Sequence, residues 1–302
     1  MTDRAPVVAI VHNPLKVVAL SRWQDEVARI CAESGWAPPL LLATTEEDHG
    51  ADAARRAVES GVDLVCALGG DGTVREVATS LAGGQVPMGV IGLGTGNLLA
   101  RNLGLPVNDL GAALRVALTG RDRQVDLGWV RFDDGPQMCF TVITGMGFDA
   151  QMMADTSDGD KSKLGWVAYV GGGLRSLVQR GFSARVVTDG RHPWTTRART
   201  VLVCNCGLLP GGIDLVPQAS IDDGQLDLMS LSPRGIVGWT AVLVHVLSRR
   251  HQGHHLVRHE PASTCLVRTP GPVLAEVDGD PVGMVSSMRT RVAPGALRVR
   301  VR

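Results

Sequence analysis

Two runs in this 302-residue chain, Leu68-Gly69-Gly70-Asp71-Gly72-Thr73 and Gly92-Leu93-Gly94-Thr95-Gly96-Asn97, each follow a short apolar stretch and precede a segment with helical spacing. Glycines at such a junction let the backbone turn sharply and bring N–H groups against an anion, and the helix N-terminus adds partial positive charge. One such turn is also an ordinary strand-to-helix connection. Two on successive strands set two groups of donors along one rim, which suits a di- or triphosphate. Neither run is G-x-x-x-x-G-K-[ST], and neither fits G-x-G-x-x-G with a ribose-binding acid about 20 residues on. Asp71 would repel a phosphate, so it is expected to face Mg²⁺, water or a hydroxyl. Two later acidic turns, Asp222-Asp223-Gly224 and Asp278-Gly279-Asp280, read on their own as a type I turn and a hairpin turn.

The elements around these runs alternate. Residues 7–11, 40–43, 62–68 and 88–91 are short apolar runs suited to buried parallel strands. Between them lie helical stripes: Trp23, Val27, Ile30 and Cys31 after a Ser21 cap, then 52–60 ended by Gly61, then Val74, Val77, Ala78 and Leu81 ended by Gly83-Gly84. Residues 97–103 and 109–118 supply further helices. This βαβα order predicts a mostly parallel α/β sheet over residues 1–125, with ligands at the carboxyl ends of its strands. From residue 126 to 302 the texture is β-rich. Strands are expected at 126–132, 138–143, 184–188, 200–204, 225–231, 265–268 and 297–301, with helices at 164–178 and 236–249. That pattern predicts a second, sandwich-like domain.

Thirty basic side chains balance thirty acidic ones, with 11 basic against 14 acidic up to residue 125. So weak a polarity excludes a nucleic-acid footprint and leaves room for an anionic membrane surface. The six cysteines lack metal spacing and read as buried thiols of a reducing cytosol. The N-terminal apolar run is too short for a signal peptide, and residues 236–247 fall well below the ~20 needed to cross a bilayer.

Taken together, Gly69-Gly70-Asp71-Gly72-Thr73, Arg75-Glu76-Val77, Gly94-Thr95-Gly96-Asn97, Ala100-Arg101 and Leu105-Pro106 resemble the diacylglycerol kinase catalytic family, more narrowly the soluble bacterial lipid kinases. The resemblance runs over nearly the whole chain, through Asn13-Pro14, Thr45, Asp126-Leu127-Gly128, Gly145-Met146-Gly147-Phe148-Asp149, Lys163-Leu164-Gly165, Ala168-Tyr169, Asp222-Asp223-Gly224 and Asp278-Gly279-Asp280. It implies an N-terminal α/β domain like that of NAD kinase and phosphofructokinase, which share the Gly-Gly-Asp-Gly loop, and a C-terminal β-sandwich-like domain. ATP would lie on Asn13, Thr45, Gly69, Gly70, Asp71, Gly72, Thr73, Arg75, Gly94, Thr95 and Asn97, and the lipid would enter between the domains. Asp278 would act as general base for a lipid hydroxyl, Asp280 being the other acid of that turn. Asp223 would hold a structural Mg²⁺ with oxygens from Ser220 and Gln225, and Asp126 and Lys163 would belong to a charged network joining metal turn and active site.

Two departures from the family pattern stand out. The family continues Asn-Pro with a variable residue, Ser and Gly; here the run is Asn13-Pro14-Leu15-Lys16-Val17, and Lys16 is expected to supply charge toward a phosphate in place of the missing contacts. The base turn ends in Asp280 where Glu is usual. The expected activity is phosphoryl transfer from Mg-ATP to diacylglycerol, giving phosphatidic acid. Another lipid alcohol, or a non-catalytic nucleotide- or lipid-binding regulator, is the alternative. The expected partners are ATP, the lipid alcohol, the inner face of the membrane for a cytoplasmic protein, and a second copy of the chain as a homodimer. Residues 236–247 with Arg249, Arg250, His251, His254 and His255 read first as a helix packed on the β domain, and more sharply as a basic membrane-docking edge.

Overall fold

A computed structural model of the chain describes residues 4–17, 22–147, 181–209, 213–233 and 257–302. The Ser21 cap, Phe148-Asp149, the helices expected at 164–178 and 236–249, Lys161, Lys163 and the basic edge from Arg249 to His255 lie outside the described residues.

The chain divides into two units, Met1–Leu127 with Gly295–Arg302, and Gly128–Pro294. In the first, β1 (Val8–His12), β2 (Leu40–Ala43), β3 (Leu64–Gly69) and β4 (Met88–Gly92) form a parallel sheet in the order β4-β3-β1-β2. Val8, Ala9, Ile10 and Val11 are all fully buried, so both faces of β1 are covered, as continuous apolar runs predict. One face carries α2 (Trp23–Glu33) and α6 (Leu110–Thr119), whose Val27, Ile30, Cys31, Leu114 and Ala117 pack with Ile10, Cys66 and Leu68. Helices α3 (Ala51–Glu59) and α4 (Asp71–Leu81) pack against each other and against β1 and β3. Short helices α1 (Pro14–Val17) and α5 (Leu98–Asn102) follow β1 and the second glycine run. The expected stripe Trp23, Val27, Ile30, Cys31 is the buried face of α2, and Asp109 caps α6 by accepting the Ala112 N–H.

The second unit is antiparallel. Strands β5 (Arg121–Phe132), β6 (Gln137–Phe140), β7 (Ile143–Met146), β8 (Phe182–Thr188), β9 (Trp194–Ala198), β10 (Thr200–Cys204), β13 (Leu226–Leu231), β14 (Val257–Ala262) and β15 (Thr264–Val277) contribute to it, with β11 (Leu208–Leu209) and β12 (Ile213–Asp214) as a separate two-stranded ladder. Alternate residues such as Val201 and Val203, Leu226 and Leu228, and Ala275 and Val277 point into one core with Phe140, Met146 and Met288. A register shift between Arg268 and Val273 lets β15 pair with β8 through its first half and with β7 through its second.

Two expectations change. Residues 138–143, read as one strand, are split into β6 and β7 around Thr141 and Val142; the N–H groups at the break go to a carboxylate described below. Residues 297–301, read as a strand of the second domain, end the long β16 (Asp280–Val301), and there Val299 pairs in parallel with Met88 of the first unit's sheet.

Candidate functional site

The glycine runs meet because β1, β3 and β4 end in register. His12 lies opposite Leu68 and Gly69 opposite Gly92. The Asn13 N–H donates to Leu68 O at 3.0 Å and the Leu93 N–H to Gly69 O at 2.8 Å. One rim therefore carries Asn13, the Gly69–Thr73 turn and the Gly92–Asn97 turn, as the pattern of strands predicted. Asn13 also starts α1: its Oδ1 accepts the Leu15 N–H at 2.9 Å.

Asp71 joins the two turns. Its Oδ2 accepts the Asn97 N–H at 2.9 Å and its Oδ1 the Leu98 N–H at 2.6 Å, so the first residue of α4 caps the first turn of α5. The sequence leads one to expect this acid at a metal or hydroxyl; in the fold both its oxygens receive backbone donors. The approach is close enough that a β-carbon on Gly96 would collide with Asp71 Oδ2. Gly94 has φ 133°, a backbone state closed to ordinary side chains, and open space around it. Its carbonyl accepts from Asn97 Nδ2 at 2.9 Å and from Asn108 Nδ2 at 3.1 Å, while Asn108 Oδ1 accepts the Gly94 N–H at 2.9 Å. Arg101 Nε closes the set on Gly96 O at 2.8 Å. Asn108 was not singled out in the sequence, although Asn is among the few non-glycine residues at home in its left-handed conformation, φ 56°.

The remaining expected nucleotide contacts differ in exposure. Thr95 is exposed, Thr73 is buried against Gly69, and Arg75 is buried with Nε 3.5 Å from Glu76 Oε1. Thr45 stands at the same rim, since the Thr44 N–H donates to His12 O. Its hydroxyl is engaged, donating to Asp48 Oδ1 at 2.9 Å. Asp48 also accepts the N–H groups of Gly50 and Asp52 and so caps α3. Partial burial pushes the Asp48 carboxyl up, but the bonds from Gly50 and Thr45 outweigh it and hold the pKa below the ordinary value. Burial lowers the pKa of His12, packed 4.8 Å from the Trp23 ring, below its ordinary value.

In the second unit, Asp278 and Gly279 form a two-residue hairpin turn, with Val277 paired to Asp280 and φ of 49° and 91°. Positive φ at both positions is the geometry of a type I′ turn, which Asp-Gly favours. Asp278 is buried. Its Oδ2 accepts the Thr141 N–H at 2.9 Å and the Thr141 Oγ1–H at 3.1 Å; its Oδ1 accepts the N–H groups of Val142 at 2.9 Å and Ile143 at 3.0 Å. These are the donors missing from the sheet between β6 and β7. The Gly279 N–H donates to Glu276 Oε2 at 2.7 Å, tightening the turn further. Asp280, on the opposite shoulder, is exposed.

A family model for the diacylglycerol kinase catalytic domain matches residues 13–130, and one for the YegS C-terminal NAD kinase beta sandwich-like domain matches residues 141–301. The chain belongs to the diacylglycerol kinase catalytic-domain family. Within this family it is 30% identical over 266 residues to the probable lipid kinase YegS of Escherichia coli O1:K1, covering 86% of this chain and 85% of the relative. A YegS-like probable lipid kinase of Klebsiella pneumoniae (strain 342) is 30% identical over 247 residues, 81% of this chain and 80% of the relative. The fold matches a diacylglycerol kinase from Bacillus anthracis str. Sterne with a TM-score of 0.72 at 20% identity, covering 100% of this chain and 98% of the other. An NAD kinase from Archaeoglobus fulgidus, solved in complex with ATP, matches with a TM-score of 0.51 at 11% identity over 97% of this chain and 93% of the other. The expected fold, an NAD kinase-like α/β domain followed by a β-sandwich-like domain, is the one this diacylglycerol kinase family member has.

The turn at residues 220–225, which the resemblance leads one to expect at a metal, is an exposed hydrogen-bonded loop. Ser220 Oγ donates to Asp222 Oδ1 at 2.7 Å, and the Gln225 N–H donates to Asp223 Oδ1 at 2.9 Å. Among the described residues no group of three or more His, Cys, Asp or Glu side chains is placed to hold a metal. The turn's donors are carboxylate, hydroxyl and carbonyl oxygens, which suit a hard cation that keeps much of its water. Asp126 is buried and accepts the Gly295 N–H at 2.7 Å.

Proposed function

We propose that this chain is an ATP-dependent lipid kinase that transfers the γ-phosphoryl group of ATP to the hydroxyl of diacylglycerol, giving phosphatidic acid. The observation that carries the reading is the stapled pair of glycine turns: two loops on adjacent strand ends, held together by Asp71, in a stretch that matches the diacylglycerol kinase catalytic domain model. Phosphoryl transfer asks the protein mainly for positioning and charge stabilisation. Asn13, Gly69, Gly70, Gly72, Thr73, Arg75, Gly94, Thr95 and Asn97 form the nucleotide rim, and Asp71 sets the distance between its halves.

The proton of the attacking hydroxyl is assigned to Asp280 in place of Asp278. A carboxylate has about four lone-pair sites, and Asp278 fills four with Thr141, Val142 and Ile143 donors. Asp278 is instead the anchor that presents the turn. Asp280 takes the proton as the lipid oxygen bonds to γ-phosphorus and the bond to the bridging oxygen breaks, leaving ADP. Mg²⁺ carried with ATP would neutralise charge on the phosphoryl oxygens; a structural ion would be held by Asp223 with Ser220 and Gln225 oxygens. Because the acceptor is a membrane lipid, the protein is proposed to work from the cytoplasm at the inner membrane face. No helix among the described residues is long and apolar enough to cross a membrane.

The test is transfer of labelled phosphate from ATP to diacylglycerol, a sphingoid base, a ceramide and a glycolipid in mixed micelles. Labelled phosphatidic acid is the expected product. Transfer to another alcohol alone would reassign the acceptor, and ATP binding without transfer to any would leave a nucleotide-binding regulator.

A further inference from the structure

Lys16 stands where the family resemblance leads one to expect Ser, and the fold shows where the side chain goes. Helix α1 leaves the carboxyl end of β1, beside the carboxyl end of β3 where the first glycine turn begins. A β-carbon built on Gly70 would stand 4.0 Å from Lys16 Cε and 3.7 Å from Leu93 O. The lysine stem therefore runs alongside the space that Gly70 leaves open, and its ammonium is one bond further on. Lys16 is exposed, and no carboxylate among the described residues lies within ion-pair distance of it. The other cations by the rim are committed: Arg75 is buried beside Glu76, and Arg101 bonds Gly96 O. Of three lysines in the chain against 27 arginines, Lys16 alone is among the described residues. A compact ammonium on a flexible stem suits a narrow loop mouth better than a planar guanidinium does.

We propose that Lys16 binds the terminal phosphates of the nucleotide at the Gly69–Thr73 turn, in place of the hydroxyl and backbone contacts that Leu15-Lys16-Val17 no longer offers. This rests on the nucleotide-rim reading above and adds to it an exposed cation beside the first glycine turn. Its consequence is selectivity by phosphate number, because a charge at the loop mouth discriminates among ATP, ADP and AMP.

The experiment is equilibrium binding of ATP, ADP and AMP to the full chain and to Lys16→Ala, Lys16→Gln and Lys16→Arg, with thermal melts to confirm folding. Losing a charge-assisted hydrogen bond corresponds to a loss of about tenfold or more in affinity. Lys16→Ala and Lys16→Gln should weaken ATP by that much, ADP less and AMP not at all, and Lys16→Arg should recover part of the loss. Unchanged ATP affinity in Lys16→Ala, or equal weakening of all three nucleotides, overturns the proposal. A wild-type chain that shows this ladder yet phosphorylates no lipid sinks the kinase reading and leaves Lys16 standing. One that binds none of the three sinks both.

Discussion

At the level of single residues, the two acids of one turn stand in different surroundings. Asp278 holds four donors in a buried pocket and Asp280 sits exposed at the start of β16. Asp278→Asn replaces one acceptor oxygen with a donor that faces N–H groups, so it should cost at least about 2 kcal/mol of stability, read as a lowered melting temperature. Asp280→Asn should fold and bind ATP normally while lipid phosphorylation falls by two or more orders of magnitude, the usual range for a lost general base being about 10²–10⁴. Comparable turnover losses in both variants, with no change in melting, would return the base role to Asp278. The sequence showed that this turn carries acids and glycine; it gave no sign that Asp278 receives the Thr141, Val142 and Ile143 donors, because those lie 135 to 137 residues away.

Caps and staples decide the elements. Gly96→Ala drives a methyl into Asp71 Oδ2, so the second glycine turn must move away from α4. Nucleotide affinity should drop by about tenfold or more, while Gly271→Ala, with open space around it and no positive φ, changes affinity little. Asp48 caps α3 through the N–H groups of Gly50 and Asp52, and removing such a cap costs about 1 kcal/mol. Its folded pKa lies below the unfolded one, so its contribution is present above the unfolded value, near 3.9, and fades as pH falls through the folded value. Asp48→Ala should therefore lower stability at pH 7 and flatten the acid limb of a stability–pH curve measured by urea unfolding. Most elements of the first unit were legible in advance, since their apolar period and glycine stops are local signals. The 138–143 break was not, because a continuous run of β-favouring residues hides that the N–H groups of Thr141, Val142 and Ile143 go to Asp278.

Across the whole molecule the six cysteines give a probe of both units. All are free and buried. Burial raises the thiol pKa of Cys66 and Cys204 strongly and that of Cys265 to about 12. The native chain should react with almost no thiol reagent at pH 8, and all six should react in denaturant. Labelling of Cys31 and Cys66 against Cys204 and Cys265 at rising urea reports which unit opens first; rapid native labelling of any of these four would contradict the packing. The sequence by itself determined the order of strands and helices in the first unit, the two glycine turns at strand ends and the presence of a second, β-rich part. These follow from residue periodicity and from backbone freedom at glycine, which act over a few residues. Only the tertiary structure decided that Asp71 staples the two turns, 26 and 27 residues apart in the chain, that Asp278 is an anchor, that the Lys16 stem borders Gly70, and that the last residues of β16 return to the first sheet. Each is a contact between distant residues, set by which strand ends fall into register, and no local spacing encodes it.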